Sequence, residues 1–256
     1  MSYQNLIYSK DGNIALITFN RPQALNAISE QMLTEFEDAI RAAADDNDVR
    51  VIVITGSGKA FCVGGDIKEF QHATPQWIER FNRRHIELWR KMEHLRKPII
   101  VAVNGHANLE TIQACDIVIA SEDAKFGLPE VNIGVCPGAG ITIRLPRWTS
   151  RFIAKELLFV GEWITAADAF RIGLVNKVVP REKLMVEAME LARKLAKKAP
   201  LAIGAAKACV NIGSEMDLDE GMEYQLRESL RMFYTEDLKE GLRAFLEKRD
   251  PVFQGK

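Results

Sequence analysis

Three stretches of the chain have compositions poorly suited to plain packing and able to meet a ligand or move a proton. In residues 60–69, Ala-Phe-Cys-Val-Gly-Gly-Asp-Ile-Lys-Glu, two glycines lead into Asp66. A glycine pair lets the backbone approach a ligand closely and leaves an N–H free to point at it. The same pattern also fits a tight strand-to-helix turn with Asp66 as N-cap. In residues 104–116, Asn108 is placed to cap a helix whose first turn carries Glu110. There Glu110 either complements the helix dipole or faces a reacting group. In residues 126–140, Glu130 lies among apolar residues and glycines with no basic neighbour in sequence. That setting fits a solvated loop, or a carboxyl whose pKa is raised toward what a general acid needs near neutrality. Two carboxyls in different surroundings can divide acid and base duties, so Glu110 with Glu130 is the pairing to test.

These residues need a rigid frame, and the hydrophobic pattern supplies one. Residues 13–19 read as a strand, paired with 6–9 across Asp11-Gly12. Ser29 is placed to cap a helix over 30–44, with Met32, Leu33, Phe36 and Ile40 on one face. Buried-type strands are expected at 50–55, 99–103 and 117–120, with helices at 74–95 and 109–114. Such alternation predicts an α/β fold with a mostly parallel, buried sheet. Helical periodicity dominates from about Glu182, interrupted at Pro200 and Gly213-Ser214. The division expected is an α/β core over residues 1–195 and a helical region over 196–256, suited to subunit contacts.

With 256 residues, the chain is long enough to bury a substantial core. Its 34 Lys+Arg against 35 Asp+Glu give a net charge of −1, so nothing in the overall balance favours a nucleic-acid partner. The longest apolar runs, 51–54 and 99–103, are of strand length, far short of the ~20 residues a membrane helix needs. Neither a nucleic acid nor a membrane is expected as partner. Cys62, Cys115, Cys136 and Cys209 show neither disulfide nor zinc spacing, and no basic and apolar leader opens the sequence. A cytoplasmic protein without a metal is the expectation.

Several motifs taken together resemble the enoyl-CoA hydratase/isomerase (crotonase) family. They are Asn20-Arg21-Pro22 with Ala24-Leu25-Asn26-Ala27, the 60–69 segment, Ala114-Cys115-Asp116, residues 126–140, Arg144-Leu145-Pro146-Arg147, Ile172-Gly173-Leu174-Val175 and residues 244–249. The resemblance implies a crotonase-like spiral of ββα repeats with a C-terminal helical oligomerisation region. It also implies a coenzyme A thioester as substrate, no separate cofactor, and a homotrimer or dimer of trimers. By position, Glu110, Glu130 and Gly138 fall where hydratases hold the attacking water. Gly65 matches a thioester-binding N–H, and Asp66, Ile67 and Lys68 continue along the CoA. Val63 and Ile67 match the adenine end, Ala24 belongs to the same substrate-binding set, and Phe245 and Lys248 match tail residues that reach a neighbour's CoA.

One departure stands out. Between Gly105 and Glu110 the family's glycine run is missing, and the second thioester-binding N–H would fall at Ala107. Losing such a donor typically costs ~2.7–4 kcal/mol of transition-state stabilisation. Leu128, Ile141 and Ile143 also replace polar or glycine positions, implying a more apolar pocket. The activity expected is hydration of an enoyl-CoA thioester. The alternatives are another enolate reaction of a CoA thioester (isomerisation, decarboxylation or hydrolysis) and a family member impaired or non-catalytic because of the short loop. A more distant alternative is a hydrolase built on Cys62 and His106.

Overall fold

The computed structural model describes residues 3–256. Strands β1 (Leu6–Asp11) and β2 (Ile14–Phe19) form the expected antiparallel hairpin, with Leu6 opposite Phe19. Ser29 then caps α1 (Glu30–Asp45), its hydroxyl accepting from the Met32 N–H, and Met32, Leu33, Phe36 and Ile40 are buried on one face. Next come β3 (Val51–Gly56), β4 (Ala60–Cys62), the short α2 (Ile67–Phe70) and the long α3 (Pro75–His94). A second turn of chain runs through β5 (Ile99–Val103), β6 (His106–Asn108) and a 3₁₀ turn, Leu109–Thr111. The third contributes β7 (Ile117–Ser121), β8 (Lys125–Gly127) and a 3₁₀ segment, Pro129–Ile133.

The pattern is a spiral in which each turn lays one strand into each of two sheets. The larger sheet has the order β1-β2-β3-β5-β7-β10, parallel except for the β1–β2 edge. The smaller has the order β4-β6-β8-β9, with β4, β6 and β8 parallel. Between β8 and the end of the larger sheet lie α4 (Ile141–Trp148), α5 (Arg151–Val160), β9 (Ile164–Thr165), α6 (Ala166–Arg171) and β10 (Lys177–Val179). Alternation along β3 explains its burial on both faces. Val51 and Val53 pack toward α7 (Leu184–Ala196), while Ile52 and Ile54 join the core beneath α1 and α3. Helices α8 (Pro200–Asn211), α9 (Leu218–Met232) and α10 (Glu236–Glu247) complete the chain.

The helix expected over 109–114 is only the 3₁₀ turn Leu109–Thr111. Strand β6 lies between β4 and β8, which keeps the backbone extended through Asn108. The turn begins at the next residue, and Asn108 caps it as anticipated, its Oδ1 accepting from the Glu110 N–H at 2.9 Å.

A lysine that periodicity alone marks as helical filler ties α8 to the core. The buried Lys207 Nζ lies 2.8 Å from Asp116 Oδ2 and donates to the carbonyls of Met92 and Lys97 at 3.0 and 3.1 Å. Burial pushes the Asp116 pKa up, opposed by the Lys207 charge and by the Ile99 N–H. Removing one member of such a pair strands the other charge. Lys207→Met is therefore expected to lower the unfolding free energy by about 3–5 kcal/mol in urea titrations. A loss below about 1 kcal/mol would show that the pair does not anchor α8.

Candidate active site

Three adjacent parallel strands, β4, β6 and β8, deliver the candidate residues from their C-terminal ends. After β4, Gly64 adopts φ +100°, a conformation open chiefly to glycine. The segment is pinned to residue 28: the Ile28 N–H donates to Gly64 O at 2.8 Å and the Asp66 N–H to Ile28 O at 3.0 Å. Among the described residues, no protein acceptor takes the intervening Gly65 N–H. A Cβ at Gly65 would lie 2.5 Å from the Phe70 ring, so a side chain there would have to push that ring aside as α2 turns back over it.

Asp66 does what the turn reading foresaw, accepting from the Lys68 N–H at 3.1 Å as N-cap of α2. It also pairs with Arg21 at 2.9 Å, and Arg21 donates to Ala27 O at 2.5 Å. Asn26, in a left-handed conformation, donates to Ser57 O and Ala60 O and accepts from the Arg21 N–H. The Asn-Arg-Pro…Asn motif thus fastens the loop after β2 to the Gly64-Gly65 segment.

Glu110 follows β6, and its Oε1 accepts from the Gly138 N–H at 2.5 Å. Buried Gln113 fixes this contact by donating to both Glu110 O and Ala139 O, so the two backbones cannot separate freely. Ala139 and Gly140 take φ +49° and +95°, folding the loop tightly before α4. Glu130 follows β8 in the first turn of its 3₁₀ segment. Its Oε1 accepts from Asn108 Nδ2 at 2.5 Å, whereas Oε2 is buried without a protein partner.

Glu110, Glu130, Gly138, Gly65, Val63 and Ile67 all line one cavity of about 450 Å³, within the usual range for small-molecule sites. Burial, then the nearby Glu130 charge, pushes the Glu110 pKa up to about 7, against the lowering effect of the Gly138 N–H. Burial raises Glu130 as well, opposed by the Asn108 amide. Glu110 is therefore poised to gain or lose a proton near neutrality, beside a second carboxyl shifted in the same direction.

Other expected residues stand elsewhere. Ala107, anticipated as a thioester donor, is fully buried in β6 between Cys62 of β4 and Phe126 of β8 and does not line the cavity. Sheet pairing claims the backbone that the count had assigned to substrate. Ala24 sits in a 3₁₀ turn, Pro22–Ala24, and Lys68 is exposed on α2, both away from the cavity wall. Phe245 on α10 is 82% exposed, and Lys248 is the exposed left-handed cap of that helix; neither lines the cavity of its own chain. Leu128 and Ile141 are core residues and Ile143 faces a different groove, so these three do not make the pocket apolar.

Its apolar character comes instead from Ile28, Phe70, Ile78, Phe81 and Val135. Polar atoms on α3 also reach the wall through Asn82, His85 and Trp89. Burial holds His85 neutral, its pKa pushed down to about 4, with Nδ1 3.1 Å from Phe81 O. Sequence reading took α3 as a helix with a mixed face and missed this contribution. A spacing of three and four residues was the available signal. Cys62 is buried with its thiol pushed up to about 12, and His106 is exposed with its ring set edge-on to Trp163, so no hydrolase dyad forms. Among the described residues, no group of three or more His, Cys, Asp or Glu side chains could hold a metal ion.

The sequence matches the enoyl-CoA hydratase/isomerase family profile over residues 9–256. The chain belongs to that family. It is 42% identical over 260 residues to a crotonyl-CoA hydratase of Syntrophomonas wolfei, covering the full length of both. A short-chain-enoyl-CoA hydratase of Clostridium acetobutylicum is 40% identical over 97% of each chain. Among solved structures, an enoyl-CoA hydratase of Geobacillus kaustophilus superposes with a TM-score of 0.94 at 41% identity over 99% of each chain. One from Bacillus anthracis gives 0.96 at 35% identity, covering 99% of this chain and all of that one. The spiral fold expected from the sequence is thus the crotonase-like fold.

The raised pKa of Glu110 has a cost in stability. Between its unfolded value near 4.5 and its folded value near 7, the native state binds a proton that the unfolded chain has released, so stability falls as pH rises through this window. Glu110→Gln is expected to be more stable than the parent at pH 8 by roughly 1–3 kcal/mol, with the gap closing below about pH 4.5. Thermal unfolding at the two pH values checks this. An equal offset at both would detach the effect from ionisation.

Proposed function

We propose that the chain is an enoyl-CoA hydratase, adding water across the 2,3 double bond of an acyl-CoA thioester. The observation that carries this reading is the pair of acids in one cavity. Each is tethered through one oxygen only: Glu110 by the Gly138 N–H and Glu130 by the Asn108 amide. Tethered in this way, the two carboxyls can hold a water between them while keeping an oxygen for proton transfer. In the forward direction the water oxygen bonds to C3, and its released proton passes to the glutamate pair. Glu130 delivers a proton to C2, and the C2–C3 double bond becomes single. The thioester oxygen takes up negative charge in between, and the unpartnered Gly65 N–H is the group that would receive it.

Full-length similarity to proteins named crotonyl-CoA and short-chain-enoyl-CoA hydratases supports both the reaction and the thioester class. With Ala107 committed to β6, Gly65 is the main-chain donor that this reading assigns to the thioester. A subunit assembly, trimer or dimer of trimers, belongs to the same reading. It is supported by apolar side chains left exposed on α9 and α10, including Leu226, Leu230, Phe245 and Leu246.

The test is purified protein with crotonyl-CoA, following loss of the conjugated enoyl absorbance. Glu110→Gln and Glu130→Gln are each expected to lower kcat by about 10²–10⁴-fold with the fold intact. Unchanged rates in both variants would remove the two-acid mechanism. A Glu110→Gln variant that moves double bonds at the parent rate would instead identify an isomerase working with one carboxyl.

A further inference from the structure

Asn108 stands directly between the two acids, in the segment that is shorter than the family pattern. Strand β6 ends at this residue, and the 3₁₀ turn bearing Glu110 begins one residue later. The side chain is 1% exposed and both of its polar atoms are engaged: Oδ1 accepts from the Glu110 N–H at 2.9 Å, and Nδ2 donates to Glu130 Oε1 at 2.5 Å. Its carbonyl accepts from the Thr111 hydroxyl at 2.7 Å, so the backbone is held as well. Space for the amide exists because residue 64 is glycine; a Cβ there would stand 2.8 Å from Nδ2.

We propose that Asn108 is a positioning residue that sets the relative placement of the two glutamates, one amide fixing the turn of Glu110 and the carboxyl of Glu130 together. It does not line the cavity and therefore acts through the acids rather than on substrate. Its N–H stabilises the charged form of Glu130, opposing burial, and it leaves Oε2 as the oxygen without a protein partner. The other titratable groups on the cavity wall are Glu110, His85 and Cys136. Burial keeps His85 neutral near pH 7, which leaves Glu110 as the acid that feels the Glu130 charge across the cavity. The inference rests on the hydratase reading for its kinetic consequences, but the contact itself can be judged without turnover.

Two variants decide it. Asn108→Leu keeps the volume and deletes both hydrogen bonds. Asn108→Asp keeps the cap on the Glu110 N–H and sets a carboxylate against Glu130. In protein carrying ¹³C at the glutamate Cδ, the Glu130 signal is assigned by its loss in Glu130→Gln. Its titration midpoint is expected to rise by about one unit or more in both variants. With crotonyl-CoA, kcat should fall by about 10²-fold with KM little changed, and the high-pH limb of the kcat profile should shift upward. A Glu130 midpoint that stays at the parent value in a folded Asn108→Asp protein overturns the inference, even if stability or rate declines. Absence of turnover in the parent would count against the hydratase reading alone, because the titration still reports on the contact.

Discussion

Two carboxyl groups sharing one largely apolar cavity is the constraint from which the rest of the molecule is best understood. Burial disfavours the charged form of both, and the Glu130 charge adds to this at Glu110, so each needs a donor to stay useful. The chain provides one donor apiece, a main-chain N–H at Gly138 and a side-chain amide at Asn108, and stops there. Further donors would pull both pKa values down against burial, and fewer would leave the carboxyls unanchored. A tuning of this kind requires a frame that does not yield, and the spiral supplies it.

That frame works because β4, β6 and β8 end side by side. The three segments leaving them carry Gly65, Glu110 and Glu130, so residues distant in sequence meet without long loops. Tight turns around Gly64, Gly134 and Gly140 then aim them into a common space. Gln113 closes the arrangement by joining the Glu110 turn to the Ala139 carbonyl. On the far side, α3 furnishes the opposite wall and is itself held to α4 by the Arg144–Glu93 pair at 2.7 Å. Catalytic placement and core packing therefore share the same contacts.

Much of this was legible in the sequence wherever one element declares itself by its own pattern. The hairpin of β1 and β2, the Ser29 cap, the length of α3 and the buried strands β3, β5 and β7 follow from periodicity and turn residues. The strands of the smaller sheet do not, because β4, β6 and β8 are three residues each, too short for alternation to register. Ala107 shows the consequence. Counting along a shortened loop assigned it a free N–H, whereas pairing on both sides had already claimed the strand. The roles of Asn26, Gln113 and Lys207 were unreadable for a related reason: each depends on at least one partner more than twenty residues away, Ser57 and Ala60 for Asn26, Ala139 for Gln113 and Asp116 for Lys207. Glu110 was found through its place at an expected helix start, Glu130, Gly65 and Gly138 through glycine-rich surroundings, and all four through resemblance; the cavity unites them.

The fit between Gly64 and the Asn108 amide links two positions more than forty residues apart. An amide at 108 occupies the volume that any side chain at 64 would need, so neither site can drift independently. Any chimera built on this chain must therefore carry Gly64 and Asn108 across a crossover together. A larger residue at 64 would press on the amide, and a smaller one at 108 would take the donor from Glu130 and the acceptor from the Glu110 N–H.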